Sequence, residues 1–142
     1  MIPNNENYDE ELEDDLVTDF NIETEPSLTY SMNLDRSIFV GKADETEAIK
    51  QAIIKIINTE RYENEIYSWD YGIELKDLFG KPPAYVMSEI KERITDALTT
   101  DDRIEAVDDF TVEQTGKRTL YCTFTVITAQ GDEIEMEREV EI

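Results

Sequence analysis

Residues 133–142 read Glu133-Ile134-Glu135-Met136-Glu137-Arg138-Glu139-Val140-Glu141-Ile142. Acidic and apolar residues alternate with a period of two, the pattern of a strand buried on one face only. Ile134, Met136, Val140 and Ile142 take the inner face, interrupted by Arg138, and Glu133, Glu135, Glu137, Glu139 and Glu141 take the outer one. The segment just upstream, about 118–129, puts Leu120, Cys122, Phe124 and Val126 on one face. The one before it, about 105–114, does the same with Phe110 and Val112. Gly116 and Gly131 fall in the short connections, as hairpins require. The last third of the chain is therefore predicted to be a three-strand antiparallel meander.

Two helical patterns precede it. Ala48, Ile49, Ala52, Ile53, Ile56 and Ile57 recur at three- and four-residue spacing, with Lys50 and Lys55 off the stripe. This predicts a core helix that opens with Asp44 and Glu47 as a capping pair and ends near Asn58. Met87, Ile90, Ile94, Ala97 and Leu98 predict a second helix over about 84–99, with Pro83 in its first turn. Between them, residues 59–83 are irregular and aromatic, with a short helical turn expected at 73–79. Residues 28–32 and 37–41 read as two short strands joined by a turn at 33–36. The fold class is α+β: two main helices packed on a small antiparallel sheet, with the C-terminal meander.

Charge divides the chain. Of its 142 residues, 35 are acidic and 13 basic, a formal net charge of −22. Ten of the acids lie within residues 1–25, where no Lys or Arg occurs. Such a segment cannot bury enough surface to offset its ordering entropy. An acidic disordered arm is expected at 1–25, with a single α+β domain at 26–142. Leu12, Leu16 and Phe20 recur every four residues, so the arm is either a solvated tail or a short helix formed on a partner.

The same arithmetic excludes functions. Nucleic-acid affinity rests on Lys and Arg neutralising phosphates, and an anionic membrane surface needs the same charges. No apolar run approaches the roughly 18–20 residues of a membrane span. No basic segment followed by an apolar one opens the chain, so no secretory signal is expected. The single Cys122 cannot form an internal disulfide, which fits a reducing compartment. Histidine is absent, which removes the commonest general base and metal ligand. No Gly-rich phosphate loop or EF-hand spacing occurs, and no cofactor or metal is expected.

Two features remain that are suited to function. The glutamate face of the last strand is either a solvated surface that blocks edge-to-edge aggregation or an edge awaiting a basic strand from another chain. The loop residues Glu60, Arg61, Tyr62, Tyr67, Trp69, Asp70, Tyr71 and Gly72 combine large rings with both signs of charge, the composition of interface hot spots. The same rings could instead pack over the helices, with Arg61 paired to a local acid. A glycosidase needs only two carboxylates, for which Glu60, Glu63, Asp70 or Glu74 could be nominated. An acidic domain that binds a basic protein is the third class.

Four segments carry a family resemblance: Ala48 to Ile53, Asn58-Thr59-Glu60-Arg61-Tyr62, Ile66-Tyr67-Ser68-Trp69-Asp70-Tyr71-Gly72, and Glu74-Leu75-Lys76-Asp77-Leu78-Phe79-Gly80-Lys81-Pro82. Together with Asp101-Asp102-Arg103-Ile104 and the closing meander, they resemble the PBSX-type (XkdS-like) prophage tail proteins over about residues 26–142. These belong with the baseplate wedge proteins of contractile tails, sometimes labelled acidic-lysozyme-like. The resemblance implies a non-enzymatic structural subunit in six copies around the tail tube. It implies a place in the host cytoplasm during assembly and then in the baseplate of a phage or phage-tail-like particle. Its partners would be the other wedge proteins and the tail sheath protein, whose first ring it templates by strand pairing. The broader family binds the wedge core through a Glu-Pro-Arg motif after the first long helix; here that loop carries Glu60-Arg61 and then Tyr67 to Gly72. The five glutamates from Glu133 to Glu141 are where sheath pairing is expected. The charge predicts a monomer before assembly. A peptidoglycan-degrading, lysozyme-like glycosidase is the alternative.

Overall fold

A computed structural model describes residues 27–142; the expected arm at 1–25 lies outside them. The chain runs β1 (Thr29–Asn33), β2 (Ile38–Ala43), α1 (Glu45–Ile57), a 3-10 turn (Lys76–Leu78), α2 (Pro83–Leu98), β3 (Ile104–Gln114), β4 (Thr119–Thr128) and β5 (Glu133–Glu141). β1 and β2 form a separate two-stranded antiparallel sheet. β3, β4 and β5 form an antiparallel meander in that order. The α+β class, the two helices and the closing meander are thus as the residue patterns indicate.

Apolar spacing explains each element. On α1, Ala48, Ile49, Ile53, Ile56 and Ile57 are buried. On α2 the buried line is Val86, Ile90, Ile94, Ala97 and Leu98. Both stripes close on the inner face of the meander, where Leu120, Cys122, Phe124 and Val126 alternate with half-exposed neighbours along β4. Burying one Ile or Leu of this set contributes about 1.5–3 kcal/mol. Ile73, Leu75 and Leu78 of the connecting loop join the same cluster.

β3 contains the main irregularity. Its pairing with β4 shifts between Ile104 and Ala106 and again between Asp108 and Thr111. Asp109, at φ 49, sits in the second shift. Strict alternation from Val107 would turn Phe110 outward. The extra residue resets the phase, as a β-bulge does, so that Phe110 stacks on Phe124 with ring centroids 5.6 Å apart.

Two local expectations are corrected. Asp44 does cap α1, but its carboxylate accepts from the N–H of Glu45 at 2.8 Å rather than from the third helical residue. Glu45 has φ 50, which turns its N–H back toward the Asp44 side chain, so Glu47 closes no capping box. The helical turn expected over 73–79 contracts to Lys76–Leu78, because Ile73 is held in a parallel bridge with Glu60 instead. Among the described residues, no helix is long and apolar enough to cross a membrane.

Candidate interaction surfaces

Exposed apolar side chains are the first clue to function. The large hydrophobic residues left exposed fall into two groups. One is Leu28, Tyr30, Leu34, Ile38, Phe39 and Val40 on and beside the β1–β2 hairpin. The other is Tyr62, Ile66, Tyr67, Trp69, Phe79 and Tyr85, in the loop between the helices and at the start of α2. Exposed large apolar side chains grouped along the chain in this way are candidates for contacts with other macromolecules.

The aromatic loop is rigidly built. Glu60 accepts from the backbone N–H groups of Leu75 and Lys76, at 3.1 and 3.0 Å. Its carboxylate thereby holds the first residues of the 3-10 turn. Arg61 donates from Nε to the Gly72 carbonyl at 3.1 Å and from its terminal nitrogen to Asp96 of α2 at 3.0 Å. Arg93 of α2 answers with a two-pronged bond to Asp77, at 2.6 and 2.8 Å, and a third to the Glu74 carbonyl at 2.8 Å. The Arg93 hydrogen bond holds the Asp77 carboxyl below its ordinary range.

Gly72 is where the two sides of the loop touch. It has φ 96, and a Cβ there would lie 2.6 Å from the Thr59 carbonyl oxygen. Only glycine permits that approach. Tyr67 stacks on Tyr71 with centroids 4.5 Å apart, and Tyr71, half-buried, packs against the core. Burial is the main cause that raises the Tyr71 hydroxyl pKa. Of the eight loop residues singled out by composition, Glu60, Arg61, Tyr71 and Gly72 are thus committed inward. Asp70 is half-buried, and Tyr62, Tyr67 and Trp69 face solvent, Trp69 at 77% exposure.

The last strand presents its glutamates as expected. Glu133, Glu135, Glu137, Glu139 and Glu141 all point outward, and Ile134, Met136 and Val140 are buried. Across β4 they face Ile127, Thr125, Thr123, Tyr121 and Thr119 respectively. Tyr121 donates its hydroxyl hydrogen to Glu137, which raises the tyrosine pKa. β5 is paired with β4 alone, so its other edge is open among the described residues. A cleft of about 800 Å³ lies beside it. Its lining mixes Leu34, Lys50, Ile54, Met136 and Arg138 with Asp109, Glu135, Glu137 and Glu139.

Two features were not anticipated from sequence. Gln51 lies on α1 and is buried. Its side-chain amide accepts from Met32 N–H at 2.7 Å and donates to the Tyr30 carbonyl at 2.8 Å. One side chain therefore takes the place of a neighbouring strand along β1. The only hint of this in the sequence is a Gln within an otherwise apolar stripe. The other is the hairpin's exposure, since the run Ile38-Phe39-Val40 has the composition of a buried strand.

An acidic α+β body with two groups of exposed apolar side chains and an open strand edge among the described residues presents surfaces of the kind that other macromolecules contact. Comparison with known proteins gives the family. A model of the contractile injection system sheath initiator family matches residues 28–131. The chain is also 35% identical over 120 residues to the phage-like element PBSX protein XkdS of Bacillus subtilis (strain 168), a match covering 82% of this chain and 84% of that protein. The chain belongs to the contractile injection system sheath initiator family. It is a sheath initiator of the PBSX contractile-tail type.

Proposed function

We propose that this chain acts without enzymatic activity on the sheath-proximal side of a baseplate, in six copies. In this reading it binds wedge proteins through the aromatic loop and accepts a strand from a sheath subunit along β5. The observation that carries it is the open edge of β5 beside five outward glutamates. Unpaired peptide groups at a sheet edge take up an added strand. The acidic row repels a second copy of the same edge and draws in a basic segment. For the wedge contact the support is a rigid platform. Glu60, Arg61 and Gly72 fix the loop from inside, and Tyr62, Ile66 and Trp69 stand clear of it. Large aromatic side chains on a preformed surface are the usual anchors of protein interfaces.

The test is charge reversal on the strand. Glu135, Glu137 and Glu139 are replaced together by Lys in the full chain. Sheath polymerisation is then followed on baseplates assembled with the variant. Loss of sheath attachment with an unchanged circular dichroism spectrum is expected. Normal sheath growth would overturn strand pairing at β5.

A further inference from the structure

Arg138 breaks the pattern of the strand that carries it. The other inward positions of β5, Ile134, Met136 and Val140, are apolar and buried. The chain has 35 acidic residues, yet no ion pair among the described residues includes Arg138. It donates one hydrogen bond, to the Asn58 side chain, and its Nε is buried without a partner. Lys50 of α1 is likewise in none of those ion pairs. Both cations line the cleft of about 800 Å³ beside the open edge of β5, together with Ile54, Met136 and Glu137.

We infer that Arg138 sets the register of the strand that β5 accepts, and that this strand carries one inward-facing carboxylate for it. The inference rests on the reading of β5 as an acceptor edge. A strand added there lies about 4.8 Å from β5 and alternates its side chains between the same two faces. On the outer face it meets Glu135, Glu137 and Glu139, which favour Lys or Arg. On the inner face it meets Met136 and Val140, which favour apolar side chains. That alternation excludes a slip of one residue, which would turn every side chain over. It does not exclude a slip of two, which restores both faces. Arg138 removes the degeneracy, because it is the one polar residue of the inner row. A carboxylate beside it makes a charge-assisted hydrogen bond, and Lys50 adds a second positive charge on the helix side of the cleft. Displaced by two residues, the same carboxylate would lie against Met136 or Val140, desolvated and unpaired. One polar contact in an apolar seam is a known means of fixing register. Such a strand remains basic overall, so the acidic body attracts it.

The experiment uses the full chain and two capped synthetic peptides as probes. One alternates Lys and Val throughout; the other has a single Val replaced by Glu. Binding is read by fluorescence anisotropy. Attraction to an acidic protein alone ranks the all-Val peptide first, because the Glu peptide carries less positive charge. The opposite order is expected, with the Glu peptide binding at least about tenfold tighter. Arg138→Met should restore the order set by charge. Equal or tighter binding of the all-Val peptide to the unmodified chain would overturn the inference, as would a preference for Glu that survives Arg138→Met. The Glu135→Lys, Glu137→Lys, Glu139→Lys triple variant tests the edge itself and should lose both peptides. If it keeps both at unchanged Kd, or if the unmodified chain binds neither, the β5 reading fails and the role of Arg138 with it. Loss of both peptides in the triple variant without a preference for Glu in the unmodified chain would overturn the role of Arg138 alone.

Discussion

Cys122 and Arg138 stand opposite each other on the helix-facing side of the meander, a thiol and a guanidinium paired across β4 and β5. Burial pushes the Cys122 pKa up to about 11, with the Arg138 charge pulling the other way. Burial also lowers the Arg138 pKa. The arginine reaches Asn58 at the end of α1, but its Nε is buried without a hydrogen-bond partner. Desolvating a cation costs more than one neutral contact returns. Arg138→Met keeps the length and removes the charge. It is expected to raise unfolding stability by about 1–2 kcal/mol, read by urea denaturation. A loss of stability would mean that the Asn58 contact outweighs the desolvation.

Gly72→Ala is expected to destabilise the chain by roughly 2 kcal/mol or more, combining a positive φ with a backbone clash. Gly80→Ala is the control, since Gly80 has φ 77 but open space where the Cβ would go. It should cost about 1 kcal/mol. Equal costs in thermal unfolding would show that Thr59 yields.

Trp69→Ala should leave folding stability within about 0.5 kcal/mol, because the ring is exposed. If the loop is the wedge contact, the same change should weaken wedge binding by about 2 kcal/mol, some thirtyfold in Kd. Titration calorimetry with purified wedge protein reads the second number. Unfolding of the variant would instead place the ring in the core.

Acid stability should depend on Asp101. Its carboxylate takes a two-pronged bond from Arg103 at 2.9 and 2.6 Å, and that bond lowers its pKa from the ordinary 3.8. The folded value is the depressed one. The contribution is therefore present above about pH 3.8 and is lost as the pH falls through the lowered value. Asp101→Asn should lower stability at pH 6 and flatten its fall below pH 4, measured by denaturant titration across that range. An unchanged acid limb would show that the unfolded chain keeps the same pair.

What was legible in the sequence follows from the range of the interactions. The stripes of α1 and α2 and the alternation in β4 and β5 are set by neighbours three, four or two residues apart. The Asp109 bulge is invisible to that logic, because one extra residue reverses which side of β3 faces inward. Glu60 and Arg61 drew notice for their composition, but their roles are fixed by Leu75 and Asp96, 15 and 35 residues away. Ile38-Phe39-Val40 misleads for a related reason: an apolar strand left exposed at the surface reads the same as one buried in the core.

Gln51 has a mechanical consequence. Its two bonds to β1 lie side by side on one amide, so a load along that strand strains them together rather than one after another. Apart from the covalent passage through Asp44, these are the only two side-chain hydrogen bonds from α1 to the hairpin among the described residues. Pulling on β2 would therefore stretch the molecule in two stages. The hairpin would slip as a unit at the force that breaks one glutamine, well before the nine-residue seam between β4 and β5 gives way.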